Sequence, residues 1–149
     1  MRTLKEIAGD LDSLSAQDFD WNNPAASGTE RLQRLCDELL VFNDVSKCAP
    51  LMFAVMERLD TSDLGSPGPL VHTMEKWRGG YETFLAESLR RKPSPLTVWM
   101  INRILNGKPR DADSWLALLQ SVQGHPNASE KAKQYATNFL DWQAGRARS

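Results

Sequence analysis

From about residue 29 onward the apolar residues of this chain recur at spacings of three and four, and no stretch sustains the alternation of a half-buried strand. That periodicity commits the backbone to helices, with turn and capping residues between the periodic segments in the order that short helices need. The expectation is an all-α protein of about seven to eight short helices, either in HEAT-like stacked antiparallel pairs or as an irregular helical bundle. One segment locates the core. Leu51, Met52, Phe53, Ala54, Val55 and Met56 are apolar in every direction around a helix predicted from about Ser46 to Leu59, with Pro50 in its first turn. A helix of that kind belongs at the centre.

The remaining segments are amphipathic. A short helix is predicted over Thr3–Leu14, with Leu4, Ile7, Leu11 and Leu14 on one face and Gly9 weakening it. Ser15 to Gly28 is rich in Asp, Asn, Pro, Ser and Gly, and reads as an irregular segment pinned by Phe19 and Trp21. A helix from after Ser27 or Thr29 to about Asn43 puts Leu32, Leu35, Cys36, Leu39 and Leu40 on one buried stripe and turns Arg31, Arg34, Asp37 and Glu38 outward. A turn over 61–68 leads to a helix from near Pro69 that groups Leu70, Val71, Met74 and Trp77, stopped or kinked by Gly79-Gly80. The next holds Tyr81, Phe84, Leu85 and Leu89 and ends in Arg90-Arg91-Lys92. Ser94 caps a helix through Asn106, and Asp111 or Asp113 caps one through Gln123. Asn127 or Ser129 caps the last, which carries Tyr135, Ala136, Phe139 and Leu140 and frays over Ala144–Ser149. Residues 1–149 are read as a single helical domain, with 1–28 packed on a stacked-helix core of 29–143.

Several function classes fall away. A chain of 149 residues with 41% hydrophobic and 25% charged residues is neither a disordered acidic tail nor a strongly basic nucleic-acid module. Cys36 and Cys48 lie in apolar stretches without metal-ligand spacing, which predicts free buried thiols and a reducing cytoplasm. Charges within Met1–Leu14 exclude the uncharged core of a secretory signal, and the apolar run Cys48–Met56 is too short to cross a bilayer. No nucleophile motif and no acid pair demands catalysis, so no enzyme activity and no catalytic residue is expected. His72 and Glu75, with His125 or Asp63, make an incomplete ligand set, so neither metal nor cofactor is expected. Pro67 and Pro69 lack the N–H groups that a phosphate-cradling loop over 65–69 would need. Arg90-Arg91-Lys92 and Lys108-Pro109-Arg110 lack aromatic neighbours and read as solvated helix ends, not as a nucleic-acid interface.

Charge is unevenly divided. Eighteen Lys and Arg face nineteen Asp and Glu, but residues 1–63 hold twelve acids and six bases, a net of −6, whereas the remainder is +5. The near-neutral total is a cancellation, and the first part offers an acidic face to a basic partner. Asp18, Asp20 and Trp21, with Asp60 and Asp63, are the candidate partner-binding residues, an aromatic anchor among carboxylates. For Trp21 the alternative is a staple that holds the irregular segment onto the helices. Trp77, Trp99 and Trp115 read as core residues whose indole N–H groups seek a partner.

From Leu64 to Gly107 the stretch LGSPGPLVHTMEKWRGGYETFLAESLRRKPSPLTVWMINRILNG resembles small all-helical immunity proteins of bacterial toxin and immunity systems, including those of contact-dependent growth inhibition. The likeness lies in Gly65-Ser66-Pro67-Gly68-Pro69-Leu70-Val71-His72, in Gly80-Tyr81 at a helix start, and in Thr97 through Asn106. It implies a cytoplasmic antitoxin, monomeric when free, that binds a cognate toxin, commonly a nuclease domain, and covers its active site. The grip on the toxin differs between pairs of this kind, so no binding residue carries over. The other reading from the residues is a generic helical adaptor that holds a peptide or partner helix in a groove.

Overall fold

A computed structural model describes residues 2–65 and 67–148, with side chains through Arg146. The fold is all-α. Among the described residues eight helices follow one another: α1 (Leu4–Ser13), α2 (Gly28–Phe42), α3 (Val45–Arg58), α4 (Gly68–Glu75), α5 (Glu82–Arg91), α6 (Pro95–Asn106), α7 (Ala112–Val122) and α8 (Glu130–Arg148). A 3₁₀ turn, Ala16–Phe19, lies between α1 and α2, and there is no strand among the described residues. No helix of the described residues is long and apolar enough to cross a membrane. By its internal contacts the chain divides into two compact units, Met1–Phe84 and Leu85–Ser149.

In the first unit, α1 opens on a reciprocal cap. The Glu6 amide donates to Thr3 Oγ1 at 3.2 Å, and the Thr3 amide donates to Glu6 Oε1 at 3.3 Å. Ile7, Leu11 and Leu14 follow at helical spacing and are buried. α2 packs against α1 and α4, and α3 also packs against α1 and α4, so the main packing does not simply follow chain order. α3 buries Met52, Phe53, Val55 and Met56, each worth roughly 1.5–3 kcal/mol, but Leu51 is half-buried and Ala54 exposed, so the helix keeps a face to water and is not enclosed on every side as its composition suggested. Pro50 lies beyond the first turn, inside α3. It is tolerated because it and Ser46, whose carbonyl it leaves without an amide donor, are exposed to water.

Three arginines tie this unit together. Arg58, at the end of α3, donates to the carbonyls of Leu14 at 2.6 Å and Leu11 at 2.9 Å, closing the C-terminal end of α1. Arg2 grips Glu38 through Nε at 3.1 Å and Nη2 at 2.7 Å, and meets Asp10 at 2.5 Å. Arg31 approaches Asp18 at 3.5 Å. Trp77 stands outside α4, which ends before the Gly79-Gly80 pair, and its Nε1 donates to Asn43 Oδ1 at 3.0 Å. Asn43 itself closes α2 in the left-handed conformation, at φ 50°. The indole N–H thus finds its partner on a helix cap.

In the second unit α6, α7 and α8 each touch the other two, an arrangement of three mutually packed helices. Ser94 and Thr97 form a buried reciprocal cap for α6: the Thr97 amide donates to Ser94 Oγ at 3.2 Å, and the Ser94 amide donates to Thr97 Oγ1 at 2.9 Å. α7 buries Trp115, Leu119 and Val122. Trp99, Tyr135 and Phe139 meet edge to face across α6 and α8, with ring centroids 5.8–6.4 Å apart. Ser129 caps α8, its Oγ accepting from the Ala132 amide at 3.1 Å, whereas Asn127 works elsewhere. Its Nδ2 donates to the Arg91 carbonyl at 3.1 Å, beside His125, whose Nε2 lies 2.7 Å from the Arg90 carbonyl. Together they close the end of α5. α8 runs on to Arg148, past the point where fraying is predicted, because Gln143 and Arg146 bond to Asn106 at 2.9 and 2.5 Å. Ser66 of the 61–68 turn and the terminal Ser149 lie outside the described residues.

Candidate functional site

The charge division of the sequence falls on the two units. Met1–Phe84 holds fourteen acids against eight bases, a net of −6, and Leu85–Ser149 holds five acids against ten bases, a net of +5.

Within the first unit a shallow concavity of about 240 Å³ gathers Asp18, Asp20, Trp21 and Asp63. These are four of the five residues singled out in the sequence. The fifth, Asp60, is half-buried, holds a polar contact of its own and does not line the concavity. Glu30, from the first turn of α2, lines it instead. Its sequence signal is the Ser27-x-x-Glu30 pattern that starts a helix, although the Ser27 side chain makes no capping bond here.

Local backbone chemistry positions the three aspartates. Asp18 Oδ2 accepts from the Ser15 amide at 2.8 Å and from the Ser15 hydroxyl at 3.2 Å, which closes the 3₁₀ turn. Asp20 Oδ1 accepts from the Asn22 amide at 3.0 Å, and Asp63 Oδ1 from the Gly65 amide at 3.0 Å, each an Asx turn. The carboxylates therefore hold the loops that display them. Gly28 lets the 3₁₀ turn rest on the start of α2: a Cβ at this position would lie 2.5 Å from the Asp18 carbonyl oxygen and 2.9 Å from the Phe19 ring. Phe19 is buried and pins the segment, whereas Trp21 is 84% exposed. Of the two expected anchors only Phe19 works as a staple. The Trp21 ring is left to solvent among like charges, the type of residue that contributes most when an interface covers it.

The other sequence candidates are engaged in structure or stand apart. Cys36 and Cys48 are free and buried, and burial pushes the Cys36 thiol up to about 12 and the Cys48 thiol in the same direction. His125 accepts the Asn127 amide at Nδ1, at 3.0 Å, so its Nε2 carries the proton toward the Arg90 carbonyl. His72 is exposed. Among the described residues no three His, Cys, Asp or Glu side chains gather as a metal would require. Trp142, 56% exposed, donates to Asn106 Oδ1 at 3.3 Å. Comparison with family models, with curated proteins and with solved structures finds no match.

Proposed function

We propose that this chain is an immunity protein: an antitoxin that binds a cognate bacterial toxin, a basic nuclease domain, and neutralises it by covering the active site. The observation that carries the reading is the exposed Trp21 within one concavity whose ionisable residues, Asp18, Asp20, Glu30 and Asp63, are all acids. A site that grips nucleic acid is cationic because it must neutralise phosphates, so a fixed group of carboxylates competes for it. Charge of this sign speeds encounter with a basic partner and disfavours acidic ones. Charge alone gives a weak, salt-sensitive complex, and Trp21 supplies the apolar surface that a lasting complex desolvates. The likeness of residues 64–107 to helical immunity proteins supports the same reading from a different part of the chain.

Co-expression with the product of the adjacent reading frame tests it, scored for cell survival and then for co-purification. The wild-type chain is expected to rescue growth and to purify with that product. Trp21→Ser is expected to lose the complex without loss of helical content. Survival without any complex, or a complex indifferent to Trp21→Ser, would contradict neutralisation through this face.

A further inference from the structure

A second concave surface lies wholly within Leu85–Ser149 and has the opposite chemistry. It is a groove of about 1030 Å³ along α7, α8 and the end of α6. Leu105, Ala112, Leu116 and Leu140 give it an apolar lining, Lys108 and Arg146 line it with positive charge, and no described residue that lines it is Asp or Glu. The Arg146 guanidinium is oriented by Asn106, through the side-chain oxygen at 2.5 Å and the backbone carbonyl at 3.4 Å.

α7 explains the shape. Its inward stripe, Trp115, Leu119 and Val122, is buried. A second stripe, Ala112, Leu116, Gln120 and Gln123, lines the groove at spacings of four and three, over roughly 16 Å of helix. Leu140 and Ala144 of α8, also four apart, line it too. α6, α7 and α8 are in mutual contact, and the groove lies open beside α7 and α8. Small-molecule sites of roughly 300–1000 Å³ enclose most of their ligand; this one is at the upper edge of that range and is a groove between helices.

We propose that the groove docks an amphipathic, acidic helix from a partner protein. Apolar residues of that helix at i, i+4 and i+7 sit over Leu116 and Leu140, and its carboxylates face Lys108 and Arg146. Charge complementarity selects this occupant: the lining is cationic and apolar and the unit that holds it is +5, so a basic helix is repelled. The inference does not depend on the acidic concavity or on an immunity role, and it gives the adaptor reading of the sequence a defined place.

The test is a displayed library of helical peptides, about four turns long, panned against the full chain with the Leu116→Asp chain as counter-target. The expected winners carry an apolar stripe and net negative charge, are not recovered on Leu116→Asp, and bind Lys108→Glu/Arg146→Glu about tenfold more weakly. Leu116 is only half-buried, and the charge pair serves as an independent variant should Leu116→Asp lose helicity. Enrichment of basic or uncharged peptides, equal recovery on Leu116→Asp and wild type, or no enrichment at all would overturn the proposal.

Discussion

The two units hold their charge in different ways. In the first, three cations are tied to partners of the same unit: Arg58 closes the end of α1, Arg2 spans Asp10 and Glu38, and Arg31 approaches Asp18. Three of its acids, Asp18, Asp20 and Asp63, lie where the backbone is irregular and are the side chains that hold those turns. In the second unit, cations lie along helices and at their ends: Lys131 stands over the Tyr135 ring at 5.6 Å, Lys133 approaches Glu130 at 3.7 Å, and Lys108 and Arg146 line the groove. A near-neutral chain can therefore carry two surfaces of opposite sign, one built on loops and one on helices. Loop carboxylates serve structure and field together, so removing their charge while keeping their hydrogen bonds is the informative change.

The largest expected effects ask whether the two units respond separately. Phe53→Ala, in the centre of α3, should cost about 3–5 kcal/mol, and Leu119→Ala in α7 about 2–5 kcal/mol. Both cysteines belong to the first unit and the second has none, so thiol labelling reports on the first. Slow labelling is expected for the native chain, fast labelling for Phe53→Ala, and near-native labelling for Leu119→Ala. Equal acceleration by both substitutions would break the distinction.

Next come the ties of each unit. Arg58→Ala should lower stability by about 1.5–3 kcal/mol, read in urea unfolding, and raise amide exchange in α1 above that elsewhere. Gly28→Ala forces the 3₁₀ turn away from α2 and should cost about 1–3 kcal/mol, with a shift in Trp21 fluorescence. In the second unit His125→Ala removes the contact with the Arg90 carbonyl and should cost about 0.5–1.5 kcal/mol, with faster exchange at the end of α5.

The smallest effect is one of pH. The hydrogen bond from Arg2 holds the Glu38 carboxyl below the usual carboxylate range. The folded-state value is depressed, so this pair contributes above the unfolded carboxyl value and its contribution is lost as pH falls through the folded one. Both side chains are more than a third exposed, and solvent screening keeps the contribution small. Glu38→Gln should flatten the acid limb of a plot of Tm against pH while leaving the neutral plateau nearly level.

What was legible in the sequence was local. Ser94 before Pro95, Gly107 after Asn106 and Asn43 after Phe42 mark helix ends because caps act within a few residues. The apolar run of α3 marked a core-forming helix for the same reason, although Ala54 within that run is exposed. Four of the five acidic-face residues also came together, since Asp and Asn hold turns wherever they lie. The rest depended on distance along the chain. The packing of α2 on α4, the contact of His125 with a carbonyl 35 residues away, and the choice for Trp21 between staple and exposed anchor are tertiary outcomes. So is the groove, because Leu116 and Leu140 read in isolation as ordinary core positions.

The decisive measurement is the association rate of the purified chain with its co-expressed partner across ionic strength. It compares wild type with an Asp20→Asn/Glu30→Gln/Asp63→Asn variant, in which Asn keeps the acceptors of both Asx turns. A partner recognised by the acidic concavity should associate fast at low salt and slow steeply as salt rises. The neutralised variant should associate about tenfold more slowly at low salt with a flatter dependence, and Lys108→Glu should match wild type. Identical rates and salt slopes for wild type and the neutralised variant would contradict recognition through that face.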